Sequence, residues 1–250
     1  MRYVRRLACI GAAAALALAA AAPASAAAPP RVDAMIVGKA SVLQPPTKVT
    51  VRAAHVKVGR KSCAIGPATP LGVLVALRRA GGPPYHLRDF GSCSRRPADA
   101  NLLFVDRIGS ERNAGSDGWV YKVGHKAGTA DAADPAGPFG TGRGLRSGQR
   151  VLWFWCTLGA GARCPPTLDV GVDATRVSPG APIRATVTAF DDDGKGTPAA
   201  GATLTLGGAS ATAGPDGTTT LAAPPAAGTY EVTASASGDV PGFPATVEVG

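Results

Sequence analysis

The stretch Asp117-Gly118-Trp119-Val120-Tyr121-Lys122-Val123-Gly124 alternates with the period of a β-strand. Arg150-Val151-Leu152-Trp153-Phe154-Trp155-Cys156 does so again after a Gly/Pro-rich interval, and each segment is preceded by turn chemistry. Together they hold all three tryptophans of the chain. In the first strand Trp119, Tyr121 and Val123 share one face; in the second Trp153 and Trp155 share a face and Phe154 points the opposite way. Large aromatics in such alternation form a core or a half-buried platform, so these two strands anchor the architecture.

Upstream, Val49-Thr50-Val51-Arg52 alternates, and Val56-Lys57-Val58 meets the turn Gly59-Arg60 and then Lys61-Ser62-Cys63-Ala64-Ile65, a hairpin. Thr69 followed by Pro70 supplies an N-cap and a first-turn proline. Leu71, Leu74, Val75 and Arg78 then repeat at helical spacing as far as Gly81-Gly82. Further strands are expected at Tyr85 to Phe90 and Leu102 to Ile108. Ala127 to Gly148, dense in Gly, Ala, Asp and Pro, is a loop long enough to be functional or mobile. Hairpin, helix and further strands indicate an α+β unit with one main helix packed across a sheet face.

Residues 167–250 alternate at shorter intervals. Leu168 to Val172, Ile183 to Phe190, Thr203 to Leu206, Thr218 to Leu221, Thr229 to Ala234 and Ala245 to Val249 read as strands, with Asp193-Gly194 and Asp216-Gly217 among the turns. Many short strands separated by Gly/Pro turns indicate an all-β sandwich.

Two resemblances sharpen this reading. Residues 48 to about 170 resemble the bacterial domain family related to the C-terminal domain of transcobalamin, a β-grasp module of the soluble-ligand-binding type. The matching features are the opening hairpin, Thr69-Pro70-Leu71, the stretch Asp117 to Gly124, and Leu145-Arg146-Ser147-Gly148-Gln149-Arg150-Val151 leading to Trp153. The second part resembles bacterial immunoglobulin-like surface modules in Asp191 to Gly201 and in Gly228-Thr229-Tyr230-Glu231-Val232, without the cysteine pair and tryptophan of antibody domains. The implied fold is an α+β β-grasp-like domain with one main helix at 47–166, followed by an all-β immunoglobulin-like sandwich at 167–250. The first resemblance also implies a soluble ligand. Transcobalamins clamp a corrinoid against a large helical domain, and no such domain is encoded here.

Arg2, Arg5 and Arg6, the apolar run Leu7 to Ala22 and Ala24-Ser25-Ala26 form the pattern of a secretory signal peptide, with cleavage expected after Ala26. No later segment is long and apolar enough to span a bilayer, so a secreted product, in places associated with the cell surface, is expected. The Ala/Pro-rich segment 27–46 reads as a disordered leader. Cys63, Cys93, Cys156 and Cys164 follow the signal, and an even count in an exported chain reads as two disulfides. Three connectivities exist; Cys63–Cys93 and Cys156–Cys164 are preferred. The second pair closes a short loop after a strand, and the first ties a strand before the helix to a loop after it.

The net charge of +9 includes the three signal arginines. Residues 27–166 carry 20 Lys/Arg against 8 Asp/Glu, and residues 167–250 carry 3 against 9. A first part at +12 attracts anionic envelope polymers through its summed field. No Lys/Arg run interleaved with aromatics marks a nucleic-acid track, so no nucleic acid is expected as a partner.

No enzyme is indicated: G-x-S-x-G, a phosphate-binding Walker loop and H-E-x-x-H are all absent from the sequence. His55, His86 and His125 are isolated, Asp191-Asp192-Asp193-Gly194 lacks the later acidic ligand of a calcium loop, and neither a metal nor a cofactor is expected. A sheet covered by a single helix has one open face. The candidate ligand-binding residues are therefore Tyr121, His125, Phe139 and Phe154, on that face and bordered by the 127–148 loop. The expected function is a secreted, non-enzymatic binding module for an extracellular ligand or envelope component, with the second part as a spacer. The alternative is a structural or adhesion protein of the envelope.

Overall fold

In the computed structural model, which describes residues 28–250, the expected leader is folded. Arg31–Val37 forms β1 and Val42–Thr50 forms β2. Val32, Ala34 and Ile36 enter one apolar cluster while Met35 and Val37 enter another, so both faces of β1 are buried. The Ala/Pro composition on either side concealed this two-sided strand. Pro45 and Pro46 are accommodated because β2 lies at a sheet edge, where a missing N–H interrupts no ladder. The signal peptide expected at 1–26 lies outside the described residues.

The chain continues through β3 (Ala54–Val58), β4 (Lys61–Ile65), the helix α1 (Pro70–Arg79), β5 (Tyr85–Asp89), β6 (Leu103–Ile108) and β7 (Glu111–Arg112). It then forms β8 (Gly118–Val123), β9 (Lys126–Ala127) and β10 (Arg150–Cys156). A five-stranded sheet has the order β2-β1-β10-β8-β9, with β1 and β10 parallel; β5-β6-β7 and β3-β4 form two smaller sheets. The Thr69 hydroxyl caps α1 by accepting from Gly72 N–H at 3.1 Å. Leu71, Leu74 and Leu77 carry the helix onto Val32, Ile36, Trp119, Tyr121 and Trp153.

The second part contains β11 (Thr167–Val172), β12 (Arg176–Val177), β13 (Pro182–Phe190), β14 (Gly196–Pro198) and β15 (Thr203–Leu206). These are followed by β16 (Ala209–Thr212), β17 (Thr218–Ala222), β18 (Gly228–Ser235) and β19 (Ala245–Val249). One sheet has β13 between β11 and β14 and also pairs it with β17, and the other runs β12-β19-β18-β15-β16. Side chains from both sheets, including Ile183, Val187, Leu204, Val232 and Val247, share a second apolar core.

The expected fold class needs correction. Among the described residues, strand accounts for 46% and helix for 7%, with one α-helix. The molecule is mostly β, distributed over five sheets, rather than an α+β β-grasp-like domain joined to an immunoglobulin-like sandwich. The single ten-residue helix covers one face of one sheet, and pairing between strands organises everything else.

Both expected disulfides form. Cys63 in β4 joins Cys93 with Cα atoms 5.3 Å apart, and Cys156 at the end of β10 joins Cys164 at 5.1 Å. Such bridges belong to chains of oxidising compartments. Among the described residues no helix is long and apolar enough to cross a membrane.

The second face of the five-stranded sheet is covered as well. Met35, Val37, Leu152 and Phe154 form a third apolar cluster with Val240 and Phe243 from the second part. Lys122, on the same side of β8, is wholly buried and donates to the Thr167 hydroxyl (3.2 Å) and the carbonyls of Phe190 (2.8 Å) and Asp191 (2.9 Å). Burial lowers the Lys122 ammonium to a pKa of about 8, against the opposing pull of Asp192 and Asp191.

Candidate functional site

The four residues expected to form one site do not meet. Register pairs Trp153 with Tyr121 and Phe154 with Val120, which places Tyr121 and Phe154 on opposite faces. Phe154 has no exposed surface and packs in the cluster with Phe243. The open face expected from a single covering helix is therefore absent, because the second part occupies it. His125 stacks on Phe190 with ring centroids 3.7 Å apart and an interplanar angle of 10°, and its Nε2 lies 3.8 Å from Asp169, both partners belonging to the second part. Phe139 is half-buried against the first core, with the Lys126 ammonium 5.8 Å from its ring centre.

Of the four, Tyr121 borders a sizeable apolar cleft, whereas His125 lines only a hollow of about 10 Å³ between the two parts. Strands β6 and β8 lie near each other, but they belong to different sheets and do not pair. Asn113 spans the gap at one point, its Nδ2 donating to the Val105 carbonyl at 3.1 Å and its Oδ1 accepting from Trp119 N–H at 3.0 Å. Beside this bridge opens a cleft of about 320 Å³. Leu103, Val105, Trp119, Tyr121 and Trp153 line its interior, and residues of the 127–132 segment form one wall. Cys164 and Asp192 close part of the boundary, so the second part contributes to the cleft directly.

The aromatic interior is held rigidly. Tyr121 and Trp153 rings lie 5.3 Å apart, and the Trp119 and Trp155 rings meet edge to face at 5.8 Å. Trp119 Nε1 donates to the Glu111 carbonyl at 2.9 Å and Trp153 Nε1 to the Pro70 carbonyl at 3.2 Å, so neither indole carries an unmet donor into the core. The Tyr121 hydroxyl lies 2.6 Å from the Ala130 carbonyl and 3.1 Å from that of Pro138, tying the long loop to the sheet. Burial, with Asp131 and Asp134 nearby, holds this phenol above its usual range, so it remains a donor. A Cβ at position 128 would lie 2.1 Å from the Tyr121 ring, which is why glycine occupies the loop where it crosses the aromatic wall.

The loop expected to be functional or mobile is built into the core at its first half. The Ala132 carbonyl accepts from Leu71 N–H at 2.7 Å, satisfying one of the orphan donors at the start of α1, and Ala133 is fully buried. Leu145 N–H donates to the Ala68 carbonyl at 2.8 Å further along. Asp131 sits at the cleft, its carboxyl raised by burial and by Asp134.

At the mouth stands Phe104, 42% exposed, with its ring 5.9 Å from Phe90, itself 68% exposed, and with Leu102 at 45% beside them in the chain. Sequence reasoning passed over this group. Its trace is the run Leu102-Leu103-Phe104-Val105: four apolar residues on a strand must turn some outward, and Leu103 and Val105 take the buried face. The Asp191-Asp192-Asp193 turn is occupied internally, with the Asp191 carboxylate accepting from Asp193 and Lys195 N–H. Asp192 Oδ2 accepts from Cys164 N–H, while its buried Oδ1 has no hydrogen-bond partner and lies 3.9 Å from Lys122 Nζ.

A scan against protein-family models finds no match to this chain, and a search of curated proteins finds no similar sequence.

Proposed function

We propose that this protein is a non-enzymatic binding protein of an oxidising, extracellular setting, and that it captures a small, flat, mostly apolar molecule in the β6–β8 cleft. One observation carries the reading: an apolar cleft of about 320 Å³ runs into a fixed aromatic interior and opens beneath an exposed aromatic residue, Phe104. That volume lies in the range of small-molecule sites, whose walls are largely apolar with a few polar groups to orient the ligand. Asp131 and the carbonyl-rich loop supply such groups. The resemblance of Asp117–Gly124 to domains related to the C-terminal part of transcobalamin points the same way, towards capture of a soluble ligand. The two disulfides support the extracellular setting.

The test uses Nile red, an uncharged flat dye, with the oxidised protein. One-to-one binding is expected, with quenching of tryptophan fluorescence and a dose-dependent rise in melting temperature. Ala130→Phe, which fills the cleft, should abolish binding. Phe104→Ala, which removes an exposed ring, should weaken it about tenfold and leave the melting temperature of the free protein unchanged. Equal binding by all three proteins, or none by the native one, would refute the cleft as the site and favour recognition by the outer surface, as in an envelope adhesion protein.

A further inference from the structure

A second concavity, remote in chemistry from the apolar cleft, lies where the end of α1 meets β3 and the start of β5. It encloses about 360 Å³ and is lined by His55 and Lys57 of β3, Arg78 and Arg79 of α1, and Tyr85 of β5, over an apolar base that includes Val75. Some cations of this part have acidic partners, such as Lys61 with Asp89 at 2.6 Å, Arg88 with Asp106 at 3.1 Å and Arg150 with Asp169 at 2.8 Å, while others, including Arg52, Arg95 and Arg143, form no ion pair among the described residues but do not line the hollow. Among the described residues no carboxylate forms an ion pair with Lys57, Arg78 or Arg79.

Three exposed positive charges around one hollow, with no carboxylate paired to them, repel one another and add to a local positive field. The helix end explains part of this arrangement. Cations in the last turn complement the helix dipole, and Arg78 Nη1 donates to the Gly82 carbonyl at 3.0 Å. It does not explain Lys57, which comes from a different element and faces the same hollow. Burial keeps the Tyr85 phenol protonated, against the opposing charges of Arg79 and Arg78, which leaves a neutral donor at the edge of the cationic group.

We infer that this hollow is a phosphate-binding site. A phosphate group brings up to two negative charges and several acceptor oxygens, matching two guanidinium forks, an ammonium and a hydroxyl donor. A single carboxylate would leave two of the three cations unanswered, whereas a terminal phosphate, or successive phosphates of a polymer acting together, brings more than one charge. The group is carried either by a small free phosphate or by the repeating phosphodiesters of an anionic envelope polymer. The inference is independent of the apolar cleft, since no lining residue is shared.

Calorimetric titration of the oxidised protein with inorganic pyrophosphate tests it. Saturable one-to-one binding is expected, weakened about tenfold for each cation removed and so about a hundredfold in Lys57→Gln/Arg79→Gln. Arg78 is left in place because it also closes the helix end. The control Arg95→Gln/Arg143→Gln removes the same charge from exposed positions outside the hollow and should bind as the native protein does. Polyphosphate binding more tightly per phosphate than pyrophosphate identifies a polymer as the source of the group, and equal binding identifies a small phosphate. Equal losses in the two double variants would reduce the site to a diffuse field and overturn the inference. So would absence of pyrophosphate binding, or equally tight binding of polyglutamate.

Discussion

Lys122 is the residue whose surroundings differ most from what its type prefers. It lies in a strand between Tyr121 and Val123, where alternation assigns it to the face opposite the aromatic core, and that face is buried beneath the second part. Two carbonyls and a hydroxyl satisfy the ammonium, but burial still depresses its pKa from 10.5 to about 8. Between these values the unfolded chain holds the proton more tightly than the folded one, so stability contributed by this residue rises with pH across the interval. The full change is about 3 kcal/mol. Denaturant midpoints of the native protein and Lys122→Met, compared between about pH 8 and pH 10, should show the native protein gaining on the variant as pH rises. A constant difference would mean that the folded protein holds this proton as tightly as the unfolded chain, so that burial does not lower the pKa.

At the scale of elements, the two disulfides fasten different things. Cys63–Cys93 closes a separation of 30 residues that includes α1 and β5, whereas Cys156–Cys164 closes 8 residues after β10. The loop-entropy relation assigns about 3.5 kcal/mol to the longer closure and about 2.5 kcal/mol to the shorter. Replacing each pair by alanine should therefore destabilise more in Cys63→Ala/Cys93→Ala, by about 1 kcal/mol, in urea unfolding. The shorter bridge has a second role, because Cys164 lies on the boundary of the apolar cleft and its N–H donates to Asp192. Its removal should weaken Nile red binding while the longer bridge leaves that binding largely intact; the reverse order would remove Cys164 from the argument. Both pairings were legible in the chain because strand ends and loop lengths limit which thiols meet. The β6–β8 cleft was not, because it arises from two strands that fail to pair, and alternation within a strand carries no information about its neighbour.

For the whole molecule, the two parts are joined by more than a linker. Val240 and Phe243 complete the cluster of Met35, Val37, Leu152 and Phe154, and the Phe190 and Asp191 carbonyls hold Lys122. A fragment ending at residue 166 would expose that apolar face and lose the acceptors that hold Lys122. It should melt at a lower temperature than the full chain and bind the dye anilinonaphthalene sulfonate, which marks exposed apolar surface. A fragment as stable as the full chain, with no dye binding, would restore the view of the second part as a spacer.

The sequence by itself determined the local structure: the hairpin at Gly59-Arg60, the capped helix after Thr69, the aromatic strands β8 and β10, and the short loop that brings Cys156 to Cys164. Each depends on residues near one another in the chain or on a period that sequence displays directly. Only the tertiary structure decided that Arg31–Val37 is an interior strand, that Phe154 is covered by the second part while His125 stacks on its Phe190, and that Tyr121 borders a cleft with Phe104 at its mouth. Those outcomes depend on which surfaces meet across long separations in the chain. A strand apolar on both faces announces two partners, and the identity of each partner is settled only when the sheets pack.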